Sequence, residues 1–277
     1  MRLGGPIFKE YKDPDSWAVA VKESGYSASY CPILNDAGDD LINAYYQSAR
    51  RANIIVAEVG AWSNPISPDS DVSRQSVEYC RKQLELAEKI GARCCVNISG
   101  ARGGKWDGPY KENFNSSTFD FIVETVRFII DAVKPKRTFY TLETMPWIFP
   151  DSPDNYLRLI KAIDRKQFGV HLDPVNLICS PQRYFANGEL IHECFDKLGK
   201  YIKSCHAKDI ILRESLTTHL DEVRPGTGAL DYRAYLRELN KLEDIPLMLE
   251  HLSNEKEYIL AGEYIYKIAK EEDILIQ

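Results

Sequence analysis

Four ionisable residues stand at the ends of four apolar runs. They are Glu143 in Thr-Leu-Glu-Thr-Met, Asp173 in Phe-Gly-Val-His-Leu-Asp-Pro-Val-Asn, His206 in Ser-Cys-His-Ala-Lys-Asp and Glu250 in Met-Leu-Glu-His-Leu. Pro174 has no amide to give to a sheet ladder, so a strand from Phe168 ends at Leu172 and leaves Asp173 at its carboxyl end. Parallel α/β proteins carry their chemistry at that end. Three carboxylates gathered in apolar surroundings repel one another and lose hydration, and a divalent cation relieves both. Three oxygen donors and one imidazole suit Mn²⁺ first, or Mg²⁺, with Co²⁺, Fe²⁺ and Zn²⁺ also accommodated. Any one of these acids alone reads as a cap or an ion pair. Four at successive strand ends read as a site.

The elements that must position them repeat. Short apolar runs occur at Leu3–Phe8, Tyr26–Pro32, Ile54–Trp62, Arg93–Gly100, Thr138–Met145, Phe168–Asn176, Ile202–Ile210 and Ile245–Leu252. They are nearly continuous rather than alternating, as strands buried on both faces are. Amphipathic segments follow them at Pro14–Glu23, Asp39–Arg51, Val72–Ile90, Thr118–Val133, Asp154–Ile163, Asn187–Leu198, Asp231–Leu242 and Lys256–Lys270. Gly25, Gly91 and Gly199 fall just past such segments, where a left-handed cap favours glycine. Eight strand–helix units predict an α/β chain folded as one (β/α)₈ TIM barrel over residues 1–277. The alternative is an open doubly wound sheet, but no Gly-x-Gly-x-x-Gly follows the first run. Long loops follow the strands, notably Ala101–Ser117 and Ile211–Leu230, while the return loops are short; that asymmetry marks a catalytic face.

The bulk numbers narrow the function. With 35 basic and 41 acidic residues the net charge is −6, which argues against a nucleic-acid surface. No run is long enough to span a bilayer, and Met1–Lys12 lacks the apolar core of a secretory leader, so a cytoplasmic protein is expected. The seven cysteines include no Cys-x-x-Cys pair, and Cys31, Cys94, Cys95 and Cys205 fall inside apolar runs, which predicts reduced, packed thiols.

The set Glu143, Asp173, His206 and Glu250 resembles that of the sugar-phosphate isomerase/epimerase superfamily, the xylose-isomerase-like barrels. The phrases His-Leu-Asp-Pro-Val-Asn, His-Ala-Lys-Asp, Arg224-Pro-Gly-Thr-Gly-Ala-Leu-Asp-Tyr232 and Leu-Glu-His carry the likeness over essentially the whole chain. The resemblance implies one divalent metal held by these four residues, with Glu143 and Glu250 doubling as acid and base as in the ketose 3-epimerases. Those epimerases have a histidine three residues after the aspartate; here the position is Asn176, which can hydrogen-bond a hydroxyl but cannot titrate.

Other residues are candidates for substrate contact. His171 shares a strand face with Asp173, and Lys208 shares one with His206. Arg224 has a fork suited to carboxylate or phosphate. Trp62 and Trp147, after the third and fifth strands, can stack on sugar faces, although core packing is the ordinary fate of tryptophan. Asp209 reads as a strand-end cap before it reads as a second metal ligand, and Gly103–Gly104 with Arg102 and Lys105 read as a lid before a phosphate cradle.

The expected activity is a metal-dependent isomerase or epimerase of a sugar or sugar phosphate. The substrate is a small carbohydrate; no nucleic acid or membrane is involved, and a homo-oligomer is compatible with the fold. A lyase of the same fold, an inosose-type dehydratase or an enzyme eliminating a group from a 3-keto-glycoside, is the alternative. An endonuclease IV-type hydrolase would need more strand-end histidines than a chain with five can supply. A non-catalytic sugar-binding barrel is the remaining option.

Overall fold

The computed structural model describes residues 1–277. Eight parallel strands close into a barrel in the order β1-β10-β7-β6-β5-β4-β3-β2. They are β1 (Arg2–Gly5), β2 (Ala28–Tyr30), β3 (Ile55–Gly60), β4 (Cys94–Asn97), β5 (Phe139–Glu143), β6 (Phe168–Leu172), β7 (Ile202–Ala207) and β10 (Pro246–Leu249). The TIM barrel and its single domain are therefore as expected from the alternation of strand and helix, and the open sheet is excluded by closure between β1 and β10. The main hydrophobic core fills the layer between strands and helices, with Trp17, Tyr156, Leu84 and Ile129 fully buried there.

The helices α1 (Pro14–Glu23), α2 (Asp39–Arg51) and α7 (Asn187–Leu198) have the expected bounds. The others, α3 (Ser70–Ile90), α4 (Ser116–Val133), α5 (Pro153–Ile163), α8 (Tyr232–Asn240) and α9 (Glu255–Glu271), differ by one or two residues at their ends. Caps explain several starts: Asp69 accepts from the amides of Asp71 and Val72, and Asn254 accepts from Glu257. Gly25 and Gly91 are left-handed, at φ +77° and +72°. Gly199 is not; at φ −44° it stays right-handed and leads into a further helical turn to Tyr201.

Three features depart from the expected pattern. A short helix, α6 (Pro181–Phe185), precedes α7, started by Pro181 and capped by Ser180. The seventh strand does not run to Ile210: it stops at Ala207. The region expected as an open loop folds as an antiparallel ribbon of β8 (Asp209–Leu212) and β9 (Leu220–Val223). Asp209 makes that exit. Its carboxylate accepts from the amides of Ile210, Gly226, Gly228 and Leu230, gathering the returning chain. Asp209 is therefore a turn organiser, the cap reading.

All seven cysteines are unpaired. No helix is long and apolar enough to cross a membrane.

Candidate active site

Because β5, β6, β7 and β10 are adjacent in the barrel, their carboxyl ends form one sector of the rim. Glu143 is the last residue of β5, Asp173 follows β6, His206 lies in β7, and Glu250 follows β10. Buried tyrosines hold these strand ends from the helix layer. Tyr235 donates to the His206 carbonyl at 2.9 Å and Tyr232 to that of Lys208 at 2.8 Å. Asp173 Oδ1 accepts from the amides of Val175 and Asn176, which leaves Oδ2 turned to the centre.

One ligand atom from each of Glu143, Asp173, His206 and Glu250 lies within 4.8 Å of the other three. His206 Nδ1 is 2.8 Å from Glu250 Oε1, 3.2 Å from Glu143 Oε1 and 3.8 Å from Asp173 Oδ2. Lys208 Nζ meets the same oxygens, at 2.6 Å from Glu250, 2.8 Å from Asp173 and 3.8 Å from Glu143. Lys208 is thus ion-paired with Asp173 and Glu250, although neither Asp173 Oδ2 nor Glu250 Oε1 accepts an aligned hydrogen bond. Buried acceptors of this kind are costly unless something else meets them. The donor set, with its crowded negative charge, fits a divalent cation.

The charges sort themselves unevenly. Burial pushes Glu143 up, and His206 and Lys208 only partly offset it. Burial also opposes ionisation of Asp173 and Glu250, but Lys208 and His206 outweigh it; Asp173 is held well below the carboxylate range and Glu250 down to about 2. The same acids hold Lys208 and His206 protonated against burial.

Beneath the cluster lies a layer that sequence reasoning left unassigned. Glu58, from β3, is fully buried, with Oε2 3.5 Å from His206 Nε2. Its other oxygen accepts from the Ser204 hydroxyl and lies 3.5 Å from His171 Nδ1. A carboxylate behind a ligating histidine fixes the ring and its tautomer. His171 is wholly buried and packs edge-on against His206, with ring centroids 4.1 Å apart. Burial, and then His206 beside it, push its pKa down from 6.5 to about 4. The unfolded chain binds a proton between those pH values that the folded protein refuses, so His171 makes stability fall as pH falls from 6.5 to 4. His171→Asn is expected to flatten that part of the stability curve, measured by urea unfolding at a series of pH values.

Above the cluster opens a cavity of about 660 Å³. Trp62, Trp106, Trp147, Asn176, Lys208 and Glu250 are among the residues lining it. Asn176 Nδ2 donates to Glu143 Oε1 at 3.0 Å. Of the expected substrate contacts, Asn176, Lys208, Trp62 and Trp147 reach the cavity, and His171 and Arg224 do not. His171 is sealed under His206. Arg224 turns outward, donating to Glu257 at 2.9 Å and to the Pro225 carbonyl. Two further residues enter from segments whose geometry was not legible. Glu222 on β9 reaches Lys208 at 3.4 Å. His251, left-handed at φ +58°, lies 3.1 Å from Glu222 and 3.6 Å from Glu250. The signal for His251 was its place directly after a strand-end acid; Glu222 had none beyond a short alternation in Leu-Asp-Glu-Val. A larger groove, about 1010 Å³, lies outside the barrel between α3 and α4 and contains none of the rim residues.

The loop after β4 is folded on itself rather than open as a phosphate cradle. The Lys105 amide donates to the Tyr110 hydroxyl at 2.6 Å. Asn113, fully buried, accepts from the Arg102 amide and donates to the carbonyls of Gly108 and Trp147.

The fold recurs in solved structures of low sequence identity. A D-psicose 3-epimerase from Clostridium cellulolyticum H10, seen with D-tagatose, superposes with a TM-score of 0.70 at 16% identity, over 100% of both chains. The probable 3-DHS dehydratase of petrobactin synthesis from Bacillus anthracis superposes at 0.71 with 15% identity, over 97% of this chain and 99% of that one. A xylose isomerase-like TIM barrel protein from Mycobacterium smegmatis, in complex with magnesium, gives 0.67 at 16% identity over 94% and 90%. No curated protein matches the sequence. A family model described as xylose isomerase-like TIM barrel matches residues 19–268, nearly the whole barrel. The chain belongs to the xylose isomerase-like TIM barrel family.

Proposed function

We propose that the protein is a divalent-metal-dependent isomerase or epimerase that moves a proton beside the carbonyl of a small carbohydrate. The observation that carries this is the convergence of two buried carboxylates, one partly buried carboxylate and one buried imidazole at the mouth of a tryptophan-lined cavity. Glu143, Asp173, His206 and Glu250 would hold the ion, with manganese the first choice for this donor set. When bound, the ion supplies stabilisation of the enediolate's negative charge. Glu143 and Glu250 would share the acid and base roles, one taking the proton and the other returning it. Asn176 orients Glu143 through its amide. Lys208 balances negative charge developing over the cluster.

A second reading, loss of a hydroxyl beside the same carbonyl, is supported by Lys208. Its ammonium lines the cavity and is a proton source for a leaving hydroxide. The experiment that separates the two is proton exchange in D₂O, followed by NMR on metal-loaded protein with ketoses, inososes and keto-glycosides. Loss of one carbon-bound proton signal without elimination is expected. A new alkene or diketone signal would move the assignment to the lyase, and no exchange across the panel would remove the enolisation reading.

A further inference from the structure

We infer that the substrate is an uncharged carbohydrate carrying a second ring, held between Trp62, Trp106 and Trp147, rather than a free monosaccharide or a sugar phosphate. The inference rests on the enolising site proposed above and adds a subsite to it. Size is the first argument. At ~30 Å³ per water the cavity has room for roughly twenty waters, whereas a hexose displaces about six. A cavity of this volume has room for a ligand larger than one sugar ring.

The walls are the second argument. Trp62 and Trp106 are 43% and 38% exposed, so neither is spent on core packing. Trp62 is folded back over Gly60, where a Cβ would meet its indole nitrogen at 2.5 Å. Trp147 also lines the cavity, from the loop after β5. The loops bearing Trp106 and Trp147 are tied by the Asn113 amide, which bonds Gly108 and Trp147 together. Three indoles on braced segments present more stacking face than one ring can use.

Charge is the third argument. Asp107, Glu143, Glu222 and Glu250 line the cavity together with Lys208 and His251, and Asp107 is paired with Lys105. No arginine lines it. Arg102 donates to the Ile66 carbonyl at 2.5 Å and stacks over Phe121, and Arg224 is held by Glu257. A phosphate would find no fork there.

The test is direct binding, by indole fluorescence and calorimetry, to metal-loaded protein. The probes are fructose, fructose 6-phosphate, the ketodisaccharide isomaltulose and an aryl keto-glucoside. The two-ring probes are expected to bind about tenfold tighter than fructose, with fructose 6-phosphate weakest. Tighter binding of the disaccharide or of the aryl glycoside tells whether the second ring is sugar or aromatic. Trp106→Ala is expected to reduce the two-ring preference to near one, while Trp106→Phe, which retains a ring, keeps most of it. Equal affinity for one and two rings, tightest binding of the phosphate, or an unaltered ratio in Trp106→Ala overturns the inference. Proton exchange in D₂O is read separately: exchange without ring preference defeats only this subsite, and ring-selective binding without exchange defeats only the enolisation chemistry.

Discussion

Glu250→Gln is expected to lower turnover by about 10²–10⁴-fold while leaving the fold and the bound metal in place. The amide keeps the shape and one ligand oxygen but cannot take a proton. The fold should tolerate it because the change removes one of several crowded negative charges, and the side chain is only partly buried at 13% exposure. Glu143→Gln is expected to fall in the same range, and the pair of variants says more than either. In an epimerisation with one carboxyl on each face of the substrate, each variant loses interconversion. Each still washes the proton out of the one epimer whose face retains its base. The readouts are kcat, metal content, circular dichroism and deuterium incorporation into each epimer separately. A Glu250→Gln enzyme with ordinary turnover and full metal content would sink the assignment of the base.

Lys208→Met is expected to cost the metal-free protein about 3–5 kcal/mol, the usual consequence of removing one partner from a buried ion pair. Lys208 is 3% exposed, and its ammonium is the main positive charge among Glu143, Asp173 and Glu250. Without it only His206 opposes their repulsion. A divalent ion answers the same three oxygens, so it should restore much of the loss. Binding to the folded state alone contributes about 2.7 kcal/mol at a hundredfold excess over Kd. By linkage the variant must also bind the ion more tightly than the parent, because an ammonium beside the site repels it. Urea unfolding of both proteins, with chelator and with Mn²⁺, measures this. If the ion stabilises both equally, it does not sit among these carboxylates.

These expectations rest on two kinds of information in the chain. The barrel was legible because its signals are local. Near-continuous apolar runs, amphipathic helices and their capping residues can each be read within a dozen residues. Asp173 before Pro174 announces a strand end without reference to anything else. The clustering of Glu143, Asp173, His206 and Glu250 was legible for the same reason, since closure of a parallel barrel delivers strand ends to one rim wherever the strands lie in sequence. His171 and Arg224 show where that logic stops. Period-two alternation put His171 on the face of Asp173, but two residues earlier on the strand is one layer deeper in the barrel, under His206. Arg224 had the right chemistry, and its direction was decided by Glu257, 33 residues away on α9.

What only the tertiary structure decided are meetings between distant segments. Glu58 finds Ser204 across 146 residues, which places a carboxylate behind the imidazole of His206. Asn113 binds the loops after β4 and β5, and so sets two of the three tryptophans. Asp209 collects four amides and turns the chain into a ribbon that carries Glu222 to Lys208. None of these contacts has a periodic signature, because each is a single hydrogen bond or charge pair whose partner is chosen by packing. The amino-acid sequence alone determined the barrel and the four residues that its rim gathers. The layer beneath them, the ammonium among them and the aromatic walls above them came from the way the loops pack, where side-chain direction and long-range neighbours, rather than local pattern, decide the geometry.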